Sequence, residues 1–138
     1  MPNERRAIFL AREGTIIVDV GYPRHPDQVR LLPGAANALQ TLQKKGFLII
    51  VVSNQSGIGR GYVTPQEAAS VHQKFISLLQ DAHVVDEACY CPHAPEEKCS
   101  CRKPSTTMLF DAAVRLNINM QGSFMIGDRG VASRLEGG

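Results

Sequence analysis

Phe47-Leu48-Ile49-Ile50-Val51-Val52 is a run of six apolar residues with no polar alternation. A strand with one wet face alternates apolar and polar residues, so an unbroken run of this length and β-branched content suits a strand covered on both faces, as in a parallel sheet. Three further apolar stretches read as strands: Ala7-Ile8-Phe9-Leu10, Val84 through Tyr90, and Ser123 to Ile126. Helical patterns lie between them. Ala35, Ala38, Leu39 and Leu42 follow the i, i+3, i+4, i+7 spacing after Pro33-Gly34, and Gly46 closes that segment. Thr64-Pro65-Gln66-Glu67 has the residues of a capping box with proline at the first helical position, and Val71, Phe75, Leu78 and Leu79 continue it as an apolar stripe. A third helix is expected from about Ser105 through Leu116. Strands alternating with helices predict an α/β fold, a three-layer Rossmann-like parallel sheet in one domain spanning 1–138.

Length and composition agree with that reading. A chain of 138 residues, 43% hydrophobic and 20% charged, has the profile of one globular domain. The net charge of +2 is too small to point to nucleic acid or a membrane surface. No apolar run approaches the ~20 residues of a membrane span, and the polar start Met1 to Arg6 does not read as a signal peptide, so the expected location is the cytoplasm.

Ligands of doubly wound sheets bind at the carboxyl ends of the strands. There this sequence places Ala11-Arg12-Glu13-Gly14-Thr15, Ser53-Asn54-Gln55-Ser56-Gly57-Ile58-Gly59-Arg60-Gly61, Cys91-Pro92-His93 leading to Cys99-Ser100-Cys101-Arg102-Lys103-Pro104, and Gly127-Asp128. Hydroxyl and amide side chains, glycines and basic residues at one edge suit an anion. Backbone N–H groups, Ser53 and Asn54 can bond phosphate oxygens, and Arg60, Arg102 and Lys103 can neutralise its charge. The 57–61 glycines lack the spacing and the later acid of a dinucleotide fingerprint.

The cysteines carry a second signal. All four lie between positions 89 and 101. Cys91, His93, Cys99 and Cys101 form two close pairs joined by a short loop, the donor types zinc prefers in a closed tetrahedral site. Disulfides are the alternative, disfavoured by the absence of a secretion signal. Cys89 falls in the third strand and reads as a core residue. His25, His72 and His83 show no partner pattern and read as surface residues or local contacts.

These motifs in this order resemble the haloacid dehalogenase superfamily of phosphatases, in particular the heptose bisphosphate and histidinol-phosphate phosphatase branch. Ala7 through Ile16, Val52 through Ile58, Cys101-Arg102-Lys103-Pro104 and Ile126-Gly127-Asp128 match its four motifs. The stretches Gly21-Tyr22 to Leu32-Pro33-Gly34 and Tyr62 also read like it. The resemblance implies a haloacid dehalogenase-type fold without a large cap domain and a zinc-stapled loop over 91–101. The zinc would position Arg102 and Lys103. It also implies a first motif of Asp-x-Asp-Gly-Thr, whose first Asp attacks phosphorus while the second serves as acid and base. Magnesium is held by the first Asp, a backbone carbonyl and an acid of the fourth motif.

Here the chain departs from the pattern. Position 11 is Ala, and position 13 is Glu. A methyl group neither attacks phosphorus nor binds magnesium, and loss of a covalent nucleophile costs orders of magnitude in rate. The longer Glu13 displaces its carboxylate by about 1 Å, which alone costs on the order of a hundredfold. Asp128 remains as a possible magnesium ligand, with no supporting acid near Ala132. Two readings follow. In the first the chain is a degenerate phosphatase, inactive or nearly so, with Glu13 a remnant acid/base, that keeps the ability to bind a small phosphorylated metabolite or a protein partner. In the second it is an active magnesium-dependent phosphatase acting on heptose bisphosphate or histidinol phosphate through Glu13 and Asp128. The resemblance also implies a further helix and strand after the fourth motif. The chain is therefore expected to be truncated there, with a sheet edge open to a partner or a second copy.

Overall fold

A computed structural model describes residues 5–79, 83–97, 99, 107–127 and 132–134, the last three through their backbone. The elements alternate as read from the sequence: β1 (Ala7–Leu10), α1 (Ala35–Lys44), β2 (Leu48–Asn54), α2 (Ser56–Gly59), α3 (Pro65–Leu78), β3 (Glu87–Cys91), α4 (Thr107–Leu116), β4 (Phe124–Ile126) and β5 (Ala132–Arg134). The strands form one sheet in the order β3-β2-β1-β4-β5. The first four run parallel, with Phe9 opposite Ile50 and Met125. This is the α/β architecture expected from the unbroken apolar strands.

Period-two alternation sorts the strand side chains between two cores. Ile8, Leu10, Ile49 and Val51 point to one face and pack with Leu39 of α1 and Val71 and Phe75 of α3. Ala7, Phe9, Ile50 and Val52 point to the other and pack with Met108, Leu109, Ala112 and Ala113 of α4. The four core positions of β2, Ile49 to Val52, are fully buried. Each such side chain contributes about 1.5–3 kcal/mol relative to exposure. That two-sided burial is why β2 has no polar alternation.

Three features depart from expectation. The third strand starts at Glu87 rather than Val84, because Asp86 ends the approach by accepting from the Ile49 backbone N–H at 2.8 Å. The glycine-rich stretch after β2 winds into the short helix α2 instead of remaining a loop. Beyond β4 the sheet gains an antiparallel strand, β5, that the sequence did not signal, Ile126 standing opposite Ala132. A fold-back segment between β1 and α1 was not read from the sequence at all. Ile17 bridges both Glu13 and Leu31, and Val18 N–H donates to the Arg30 carbonyl at 2.9 Å. This segment brings Asp19 and Tyr22 over the carboxyl edge of the sheet. Among the described residues no helix is long and apolar enough to cross a membrane.

Candidate active site

In-register parallel pairing aligns the strand ends. Leu10 stands opposite both Val51 and Ile126, and Asn54 opposite Cys91. Ala11 extends β1 by one more bond, its N–H donating to the Ile126 carbonyl at 3.0 Å. Its methyl is buried, with 7% of the residue exposed. Position 11 therefore sits at the carboxyl end of β1, and its side chain carries no oxygen.

Glu13 lines a cleft shared with Asp19, Tyr22, Asn54, Gln55 and Ser56. Its carboxylate is not free. Arg12 donates to it twice, from Nε to Oε1 at 2.5 Å and from Nη2 to Oε2 at 3.3 Å. Gln55 Nε2 donates to Oε2 at 2.8 Å and also to the Ser53 hydroxyl at 2.7 Å. Ser53 is buried beneath Gln55. Arg12 itself is 3% exposed, a burial that a guanidinium tolerates only when its donors are matched. Its remaining arm donates from Nη1 to the Tyr90 hydroxyl at 3.1 Å, and its carbon centre lies 4.9 Å from the Tyr90 ring centroid. Burial works to lower the Arg12 pKa. The bond to Glu13 and the contacts with Tyr90 more than reverse it, so the group is held firmly charged.

The cysteine loop abuts the same edge. One donor atom each from Cys91, His93 and Cys99 lies within 4.8 Å of the others. The Cys91 and Cys99 sulfurs are 3.3 Å apart, and His93 Nδ1 is 3.7 Å from the Cys91 sulfur. Zinc–sulfur bonds of about 2.3 Å in a tetrahedron bring ligand atoms to similar separations. With their sulfurs 3.3 Å apart, Cys91 and Cys99 are not joined as a disulfide. The group could thus hold a metal ion. Cys101, the expected fourth ligand, lies outside the described residues, as do Arg102, Lys103 and Asp128.

Helix α2 joins the loop to the cleft. Gln55 N–H donates to the Cys91 carbonyl at 2.7 Å, and Gly59 N–H to the Pro92 carbonyl at 2.8 Å. A Cβ at position 59 would come within 2.5 Å of the Ala94 backbone nitrogen, so only glycine permits this approach. Arg60, expected to contact an anion, lies 3.6 Å from Glu96 of the cysteine loop. Cys89, expected in the core, is half-buried at its margin, its sulfur 3.6 Å from Glu87 Oε2 and 3.9 Å from Arg115 Nη2.

The structure thus gathers Glu13 and Asn54 at one cleft, with Ser53 directly beneath, and Cys91, His93 and Cys99 at its border. Arg12, Gln55, Tyr90 and His72 were not read from the sequence as site residues. Only Arg12 carried a local signal, a cation directly between positions 11 and 13.

Similarity to known proteins gives the family. Residues 15–136 match the family described as polynucleotide kinase 3 phosphatase. The chain is 39% identical over 133 residues to the D-glycero-beta-D-manno-heptose-1,7-bisphosphate 7-phosphatase of Haemophilus ducreyi, covering 91% of this chain and 73% of that protein. It is 40% identical over 131 residues to the enzyme of the same name from Escherichia coli, covering 89% and 69%. Among solved structures, the D,D-heptose 1,7-bisphosphate phosphatase of B. bronchiseptica, complexed with magnesium and phosphate, superposes with a TM-score of 0.82 at 32% identity, covering 88% of this chain and 69% of that one. With the motif order, the sheet order and the strand-end cleft all in agreement, the chain belongs to the haloacid dehalogenase-type phosphatases, in the branch of the heptose bisphosphate phosphatases.

Proposed function

We propose that this chain is a catalytically silent phosphatase-family domain that binds the phosphoryl group of a small phosphorylated metabolite without hydrolysing it. The observation that carries this reading is the buried methyl of Ala11 at the end of β1. Covalent phosphoryl transfer needs a positioned carboxylate at the nucleophile position, and the chemistry is otherwise almost entirely positioning and charge stabilisation. A fold that keeps the cleft and loses the nucleophile keeps the binding half of that task.

The side chains of Ala11 and Glu13, where the resemblance implies the magnesium site of β1, do not fit the ion. Magnesium takes oxygen ligands in a near-octahedral array. Ala11 offers none, and both Glu13 oxygens already accept hydrogen bonds from Arg12 and Gln55. The same clamp weighs against Glu13 as a general base, since both of its oxygens are turned to Arg12 and Gln55. The active-enzyme reading requires Glu13 to leave that clamp.

The cysteine loop supports a structural zinc. Cys91, His93 and Cys99 supply the donor types zinc prefers, and on the sequence spacing alone Cys101 is proposed as the fourth ligand. When bound, zinc supplies folding free energy to the loop. The loop in turn carries the backbone carbonyls of Cys91 and Pro92 that seat Gln55 and Gly59.

Calorimetry with inorganic phosphate and hydrolysis assays with p-nitrophenyl phosphate and small sugar phosphates test the reading. The expected result is phosphate binding, no burst, and no phosphorylated chain by mass spectrometry. The Ala11→Asp, Glu13→Asp double variant, assayed with magnesium, is expected to gain turnover. Hydrolysis by the unaltered chain at an ordinary enzymatic rate, about 1 s⁻¹ or faster, overturns the proposal.

A further inference from the structure

Behind the cleft, four side chains form a continuous line from Glu13 to helix α3. Arg12 bridges Glu13 and the Tyr90 hydroxyl, and that hydroxyl lies 2.8 Å from His72 Nδ1. The protons along the line can be assigned from chemistry. A guanidinium only donates, so the Tyr90 oxygen accepts from Arg12 Nη1. The Tyr90 proton is then free to point at His72 Nδ1, which accepts it when the imidazole is the Nε2–H tautomer. Burial, then the charge of Arg12, holds His72 below its ordinary value. Burial holds the Tyr90 phenol above its own, against the pull of Arg12. Both shifts favour this arrangement.

Ring packing fixes the line from the sides. His72 meets Tyr90 edge-on with centroids 5.5 Å apart, and Phe75 edge-on at 6.2 Å. The Arg12 carbon centre lies 6.0 Å from the Phe75 centroid. Arg12 is therefore anchored at its far end by α3 and β3 while its near end covers a carboxylate that lines the cleft.

We propose that Tyr90 and His72 are positioning residues that hold the Arg12 guanidinium across Glu13, so that the cleft accepts an anion with no divalent cation present. The proposal rests on the binding reading above. An unneutralised Glu13 would repel an incoming dianion, and with Arg12 fixed the chain supplies the opposing charge from within. Tyr90 contacts Arg12 and not the anion, so its influence passes through Glu13.

The test is a sulfate titration of the zinc-loaded chain without added magnesium, since sulfate keeps its charge across the working pH range. Tyr90→Phe is expected to weaken sulfate roughly tenfold, the scale of one hydrogen bond to a charged group. In a Glu13→Gln background the same change is expected to have less than about a twofold effect, because no carboxylate remains to be neutralised. His72→Gln, which keeps an acceptor for the Tyr90 proton, is expected to bind more tightly than His72→Phe. An equal Tyr90→Phe loss in both backgrounds, or none in either, overturns the proposal. The ring ¹⁵N spectrum of His72 gives a readout that needs no anion. The Nε2–H tautomer is expected in the unaltered chain and a mixture in Tyr90→Phe, and an Nδ1–H tautomer in the unaltered chain overturns the line itself. If sulfate does not bind the unaltered chain, the binding reading falls, and the spectrum separately decides whether the clamp exists.

Discussion

At position 11 a buried methyl group ends β1, where the proposed reading looks for an attacking oxygen. Two residues on, the carboxylate that survives is tied into a buried ion pair. On the proposed reading the two act in one direction: the methyl offers no attacking atom, and the ion pair keeps the Glu13 carboxylate occupied. His72 illustrates a different lesson of the residue scale. From the sequence it was an isolated histidine, because its partner Tyr90 lies 18 residues away on another element. Its environment has a measurable consequence. Burial and the neighbouring Arg12 charge make folded His72 bind its proton less readily than the unfolded chain does, whose value is near the usual 6.5. Its contribution to stability is thus fully present above about pH 6.5 and is lost as the pH falls through the lower folded value. Urea midpoints are expected to decline on going from about pH 7.5 to about pH 5, with a shallower decline in His72→Gln. Parallel curves for the two proteins would contradict this account.

Elements were legible wherever local chemistry decides them. Thr64-Pro65-Gln66-Glu67 predicted the start of α3, and the structure contains both halves of the box. Glu67 N–H donates to Thr64 Oγ1 at 3.0 Å, and Thr64 N–H donates to Glu67 Oε1 at 2.9 Å. Proline stands at the first helical position, where its missing N–H is not needed. Arg24 reaches Glu67 at 3.2 Å, tying the segment after β1 to this helix start. Thr64→Ala is expected to cost about 1 kcal/mol, read as a fall in Tm of roughly 3–5 °C. An unchanged Tm would show that packing of Val71 and Phe75, not the cap, sets the stability of α3. The fold-back between β1 and α1 was illegible for the opposite reason. Its bonds, such as Leu32 N–H to the Ile16 carbonyl at 2.8 Å, join residues with no shared periodicity. Helix α2 was missed because glycines normally weaken helices, and here docking on the cysteine loop compensates.

Across the whole molecule, the sheet edge collects the cleft and the cysteine loop into one unit. Removing the metal assigned to that loop is expected to be felt in both. A strong chelator should lower Tm and increase amide exchange at Gln55 and Gly59, whose N–H groups bond to the loop's carbonyls. Metal analysis of protein prepared without chelator should give roughly one zinc per chain, and a metal-free protein of unchanged Tm would remove zinc from the account. The sequence by itself determined the layered α/β sheet, because apolar runs and capping residues act over a few neighbouring positions. It also determined that position 11 carries a methyl side chain, since residue identity is a matter of covalent structure. Only the tertiary structure decided what Glu13 does. Its state depends on Arg12, and the position of Arg12 depends on Tyr90 and His72, which burial and hydrogen bonding bring together from strand and helix across distances that no sequence period records.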